Sequence, residues 1–179
     1  MIMIIEKVVN KKESKDLIKL FNKNKDKADK FPSNWMDINS PSAYPIYDTK
    51  LKDSFLTRVL KRIEKIVQTY YGKDIAIEKS ELKKNVEGSY HVMHYDRKYR
   101  TSPLGLTSVL YLNEGFVEGH TYFADGTRVV PQTGRLIIYD GLKYEHGVSE
   151  IRGDNRYTIP CWYRKKGKNE KEKKKSERT

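Results

Sequence analysis

Hydrophobic positions along the chain change their period at Gly72. In the stretch leading up to it they recur every three or four residues, and after it they fall in short bursts between turn residues. The opening "MIMIIEKVV" is apolar and β-branched enough for a strand, and "KESKDLIKLFNKN" predicts a short helix. Leu51 to Tyr71 is the clearest helix: Phe55, Val59, Ile63, Ile66, Val67 and Tyr70 form one stripe, and Gly72 stops it. Such a stripe packs, here against a sheet, and carries no chemistry. Between Lys25 and Thr49 the pattern is irregular, with Pro32, Pro41 and Pro45 among Ser, Asn and Asp. Trp35, Tyr44 and Tyr47 stand in that stretch and are expected to pack; whether the stretch closes over a site as a lid, the sequence leaves open.

After Gly72 come "IAIEKSEL", "SYHVMHY", "LTSVLYLN", "HTYFA", "TRVV", "RLIIYD", "HGVSEI" and "RYTIPCWYR", several of them closed by Gly, Pro or Asp-Gly. Short strands at this spacing predict a sandwich or jelly-roll barrel. The expected plan is α+β: one domain over residues 1–163, its barrel core over 75–163, supported by N-terminal helices, with a tail over 164–179.

Charge changes the picture only at the end of the chain. The formal net charge is +12, and residues 164–179 hold nine Lys or Arg against three Glu, half of that excess. A segment with no apolar residue is expected to be disordered. It can touch RNA or another acidic partner without specificity, but no aromatic residue interleaves its charges to stack bases, so a solubilising role is preferred. Cys161 is the only cysteine, which excludes an intrachain disulfide. The N-terminal apolar run lacks a basic flank and is too short for a signal peptide or membrane span. The reading is a soluble, cytoplasmic protein with no membrane partner.

Within the barrel segments lies a set of residues suited to metal chemistry. His94 and Asp96 point to the same side of an extended chain. Fifty residues on stands His146, at the start of a predicted strand. Two imidazoles and one carboxylate make a facial triad, which leaves coordination positions open and suits non-haem Fe(II). Arg156, inside the last predicted strand, needs a partner for its charge, and a carboxylate held bidentately is the natural one. His91, three residues from His94, is expected on the opposite face; Cys161 reads as a small buried filler and Arg152 as a solvent-side residue.

From about Gly88 to Tyr163 the sequence resembles the Fe(II)- and 2-oxoglutarate-dependent dioxygenases, in their prolyl-hydroxylase branch. The resemblance rests on "HYD", "TSVLYLN", "EGHTYF", "VVPQTGRLIIYDG" and "HGVSEIRGDNRYTIPCWY", in the family's order. It implies a double-stranded β-helix with His94, Asp96 and His146 as iron ligands. It implies that Arg156 and Tyr111 bind the distal carboxylate of 2-oxoglutarate, with Thr107 a further pocket contact and Trp162 an aromatic near the site. The implied reaction consumes O2, converts 2-oxoglutarate to succinate and CO2, and hydroxylates an unactivated C–H bond, with ascorbate in support. A prolyl residue in a peptide or protein is the expected substrate, ahead of another protein residue, a free amino acid or nucleic acid.

Two features depart from the family's pattern. His120 stands where relatives often carry a different residue, and reads as a substrate-side or structural histidine rather than a fourth ligand. No tyrosine occupies "SELKKNVEG", where some relatives place one for co-substrate or substrate; Tyr90 is the nearest stand-in. Two other functions compete: a cupin-like metal protein without 2-oxoglutarate turnover, and a nucleic-acid module acting through the tail.

Overall fold

Leu106, Ser108 and Leu110 leave one side of their strand, and Thr107, Val109 and Tyr111 leave the other, because side chains alternate along extended backbone. Leu136 and Ile138 against Ile137 and Tyr139 repeat the rule. One set joins the larger core, in which Leu110, Leu136, Ile138, Ile159 and Cys161 meet the helical Leu17, Phe21, Leu56, Val59, Ile63 and Val67. The other set joins a smaller core of Tyr111, Ile137 and Tyr139 with Phe123 and Val129. The chain is therefore layered: helices, a large sheet, then a small sheet.

The computed structural model describes residues 1–34, 37–96 and 104–167. Its helices are α1 (Lys11–Lys23), α2 (Asp48–Leu51) and α3 (Ser54–Tyr71), with a 3-10 turn at Lys25–Lys27. Its strands are β1 (Met3–Ile5), β2 (Phe31–Asn34), β3 (Asp37–Tyr47), β4 (Ile75–Asn85), β5 (His91–His94), β6 (Leu106–Tyr111) and β7 (Val117–Glu118). They continue as β8 (Thr121–Phe123), β9 (Arg128–Val129), β10 (Leu136–Asp140), β11 (His146–Val148), β12 (Ile151–Arg152) and β13 (Arg156–Lys165). The large sheet has the order β1-β10-β6-β13-β4-β3-β2, the small one β5-β11-β8-β9, and β12 pairs with β7. Every pairing is antiparallel. The architecture is mostly sheet with few helices.

Local chemistry sets the helix ends. Asn10 caps α1 and Glu13 returns the bond to the Asn10 N–H, a reciprocal capping box. Asp53 caps α3 by accepting from the N–H groups of Phe55 and Leu56, so the helix starts at Ser54 rather than Leu51. Glu13 also pairs with Arg62 of α3 at 2.9 Å, and Arg62 donates to the Val8 carbonyl. One carboxylate thereby joins a cap to the neighbouring helix. Tyr70, expected in the packing stripe, is left exposed at the end of α3.

The stretch from Lys25 to Thr49 is not irregular but largely a hairpin. β3 pairs β2 on one side and β4 on the other. Its prolines misled the reading: Pro45 lies beyond the last β2 partner, Phe31 opposite Ala43, and strands near a sheet edge tolerate proline. Tyr44 packs on the helix-side core, whereas Trp35 lies outside the described residues. The last strand runs past residue 163 to Lys165, and the Lys166 N–H donates to the Asp74 carbonyl. The expected tail therefore begins later than 164; residues 168–179 lie outside the described residues. Among the described residues no helix is long and apolar enough to cross a membrane.

Candidate active site

β5 and β11 bring the two triad histidines together, because His94 and His146 are direct cross-strand partners. Their ring centroids lie 4.4 Å apart. Each Nδ1 faces a backbone carbonyl, His94 that of Val92 at 2.8 Å and His146 that of Tyr144 at 2.9 Å. Donation from Nδ1 fixes the tautomer and directs the basic Nε2 at a metal. Both Nε2 atoms do point one way: toward Asp96 Oδ1, at 4.0 Å from His94 and 3.8 Å from His146. Ligand atoms of the three residues lie within 4.8 Å of one another.

Asp96 is held in place from two sides. Its N–H donates to the Gly141 carbonyl at 2.9 Å, and its Oδ2 accepts from Thr107 Oγ1 at 2.6 Å. That leaves Oδ1 facing the imidazoles. A Cβ on Gly141 would stand 2.1 Å from Asp96 Oδ2, so only glycine fits beneath the carboxylate. Burial pushes His146 below its ordinary pKa, with Asp96 opposing, which favours the neutral, ligating form. The ring of Tyr139 meets that of His146 edge-on at 4.7 Å.

Arg156 lies on the same inner face and is 4 % exposed. Its guanidinium carbon sits 5.2 Å from the Tyr111 ring centroid, and Nη2 donates to Thr121 Oγ1 at 3.4 Å. The Tyr111 hydroxyl is 2.6 Å from the same Thr121 oxygen. Arg156 Nε has no hydrogen-bond partner, and no ion pair among the described residues includes this arginine. Burial lowers its pKa, Tyr111 opposing, but a guanidinium stays charged. A buried cation lacking an anion is a site for one.

The structure thus brings His94, Asp96 and His146 together and sets Arg156 beside Tyr111. Thr107 donates its hydroxyl to Asp96 Oδ2 and so positions that carboxylate. Trp162 stands opposite Thr107 across the ladder, on the Asp96 side. The Tyr90 hydroxyl meets Asn34 Nδ2 at 3.2 Å and Asp37 Oδ2 at 3.4 Å. His120 is on the other face of β8 from the buried Thr121 and Phe123, beside Glu118 and Ser149, and does not join the triad. Cys161 is fully buried in the larger core, and burial pushes its thiol pKa up. Arg152 pairs with Glu150 at the surface.

His91 does not join the triad, as expected, but its expected place on the opposite face is corrected. His94 opposes His146 and His91 opposes Val148, so Val92 and Met93 face the single Gly147 in a β-bulge. The bulge breaks the alternation that would have turned His91 away. Its Nε2 lies 3.3 Å from Asn85 Nδ2, its ring centroid is 6.4 Å from that of His94, and burial holds its pKa well below the ordinary value. Sequence reasoning also missed Thr121 and the inward residues of β4. Glu81, Lys83 and Asn85 alternate with the fully buried Leu82, a pattern that reads as a solvent face, yet Glu81 and Asn85 are buried on the face turned away from the helices.

The profile of the 2OG-Fe(II) oxygenase superfamily matches residues 81–164. That segment is similar to the members of that superfamily. The chemistry of that superfamily is oxidoreduction with Fe(II), 2-oxoglutarate and O2, and the donor set here fits it: two imidazole nitrogens, one carboxylate oxygen and an uncompensated arginine. No curated protein matches the chain. Solved structures share its fold at low identity. A Pseudomonas putida prolyl-4-hydroxylase superposes with a TM-score of 0.70 at 17% identity, covering 93% of each chain. A Trichoplax adhaerens prolyl hydroxylase in complex with a hypoxia inducible factor peptide gives 0.64 at 15% identity, over 92% of this chain and 83% of the other. HygX from Streptomyces hygroscopicus, with nickel and 2-oxoglutarate bound, gives 0.67 at 12% identity, over 92% and 82%.

Proposed function

We propose that this chain is a 2-oxoglutarate-dependent Fe(II) dioxygenase that hydroxylates a prolyl residue in a peptide or protein. The observation that carries the reading is the triad of ligand atoms within 4.8 Å beside a buried arginine that lacks a carboxylate. In this reading the two facing sheets form a double-stranded β-helix. His94 Nε2, Asp96 Oδ1 and His146 Nε2 hold the metal, and Arg156 with Tyr111 holds the distal carboxylate of 2-oxoglutarate. When bound, the iron supplies the oxidative decarboxylation of 2-oxoglutarate and the hydroxylation of an unactivated C–H bond. The residues of the chain supply position: Thr107 orients Asp96, the Val92 and Tyr144 carbonyls orient the imidazoles, and Tyr139 shields His146 from water.

The prolyl substrate is favoured by fold likeness to prolyl hydroxylases, one of them seen with a peptide. The test is succinate formation from 2-oxoglutarate by iron-loaded protein in air, with and without a pool of proline-rich peptides. Peptide-stimulated succinate, lost in His146→Ala and Arg156→Ala, is the expected result. Iron binding without succinate under any condition would favour a cupin-like metal protein. Succinate stimulated only by free amino acids would move the substrate away from peptides.

A further inference from the structure

Charge is unevenly divided along the chain. Residues 73–163 hold twelve Lys or Arg against twelve Asp or Glu, whereas residues 1–72 hold fifteen against nine. The whole excess outside 164–179 therefore sits in the segment that builds the helices. On α1, Lys11, Lys15, Lys19 and Lys23 recur every fourth residue with Lys12 beside them, and all five are exposed. On α3, Arg58, Lys61 and Lys65 are exposed too, and the Glu13–Arg62 pair ties the first turn of α1 to the middle of α3. Leu17, Phe21, Val59 and Ile63 turn the opposite sides of these helices into the larger core. The cations thus form an outer face, on the far side of the large sheet from the triad.

Helix stability does not explain this placement. Lys11 and Lys12 stand in the first turn of α1, at the positive end of its dipole, where acidic residues are favourable. Like charges four residues apart repel, and the series from Lys11 to Lys23 repeats that penalty. Lys19 has only Asp16, at 3.8 Å. The ammonium groups of Lys11, Lys12, Lys15, Lys23, Lys61 and Lys65 make no ion pair among the described residues. Choices that oppose local stability are characteristic of functional surfaces.

The chemistry of the face selects its partner. α1 exposes no large apolar side chain, so it lacks what an interfacial helix inserts into a membrane. A protein partner calls for an apolar centre, where lysine is depleted. Point charges spaced about 6 Å apart along a helix, beside its N-terminus, match a chain of phosphates instead. We propose that the outer face of α1 and α3 docks the phosphate backbone of nucleic acid without reading its sequence. This is independent of the 2-oxoglutarate reading, since no residue of the face belongs to the candidate site.

The experiment is fluorescence anisotropy of labelled RNA and DNA strands of one mixed sequence, titrated with the full chain over a range of salt. The test variant combines Lys11→Glu, Lys12→Glu and Lys15→Glu. The control combines Arg128→Glu, Lys143→Glu and Arg152→Glu, three exposed cations outside the helices, and changes the net charge equally. Acidic residues at the start of α1 suit its dipole, so the test variant is expected to keep or raise the thermal midpoint. It is expected to bind about a hundredfold more weakly at low salt and to flatten the log–log salt slope by about two, three contacts at roughly 0.7 each. The control is expected to keep the wild-type slope. Equal loss in both variants overturns the proposal, because net charge is then the cause. Undiminished binding by the test variant overturns it too, since residues 168–179 are intact there and would carry it. So does wild-type protein that binds neither strand, or that prefers phosphatidylserine vesicles to both. Tighter binding of one strand, lost in the test variant alone, supports the proposal and names RNA or DNA as the partner.

Discussion

Asp96 shows how much of the candidate centre is decided one residue at a time. Its Oδ1 faces two imidazoles because Thr107 occupies Oδ2 and Gly141 leaves room beneath. Thr107→Val keeps the shape and removes the bond; Mn(II) affinity by calorimetry should fall about ten- to a hundredfold, as for other partners of metal ligands. Gly141→Ala drives a methyl against the same carboxylate, so Mn(II) binding should be lost while the far-ultraviolet dichroism stays unchanged. The residue types of the triad and Arg156 were legible because each is costly to place between strands without a use. Thr107 was legible as an inward residue but not as a partner of Asp96: period-2 alternation gives a face, and only cross-strand placement gives the neighbour.

The elements show where periodicity holds and where it fails. α3 was readable from its apolar stripe, and its start at Ser54 follows from the Asp53 cap. The contact between α1 and α3 through Glu13 and Arg62 had no sequence signal, since 49 positions separate the partners. Glu13→Gln should lower stability at pH 7 by about 1 kcal/mol, counting a weakened cap and a partly exposed ion pair. The Arg62 guanidinium holds Glu13 below the ordinary carboxylate pKa, so its contribution is present above the unfolded value and disappears as pH falls through the folded one. Urea unfolding of both proteins should therefore differ at pH 7 and converge in acid. In β5 the alternation fails at a bulge, which no single strand's sequence declares, and His91 consequently turns inward.

For the molecule as a whole, two cores on opposite faces of one sheet hold the site between layers of structure. The last described residues close β13 against β4, so a chain cut after Gly167 keeps every strand among the described residues. Removing 168–179 should leave both the thermal midpoint and peptide-stimulated succinate formation unchanged, whereas a nucleic-acid module acting through the tail would lose its function. The helices α1 and α3, the strands after Gly72 and the residue types of the candidate triad and buried arginine were legible in the sequence alone, because hydrophobic period and residue chemistry are local properties, whereas the β2–β3 hairpin was not. Which polar residues share the interior was decided only by tertiary structure. Lys83, Asn85 and His91 look like a solvated face until a second sheet covers them, and burial is a property of what lies opposite, not of the strand itself.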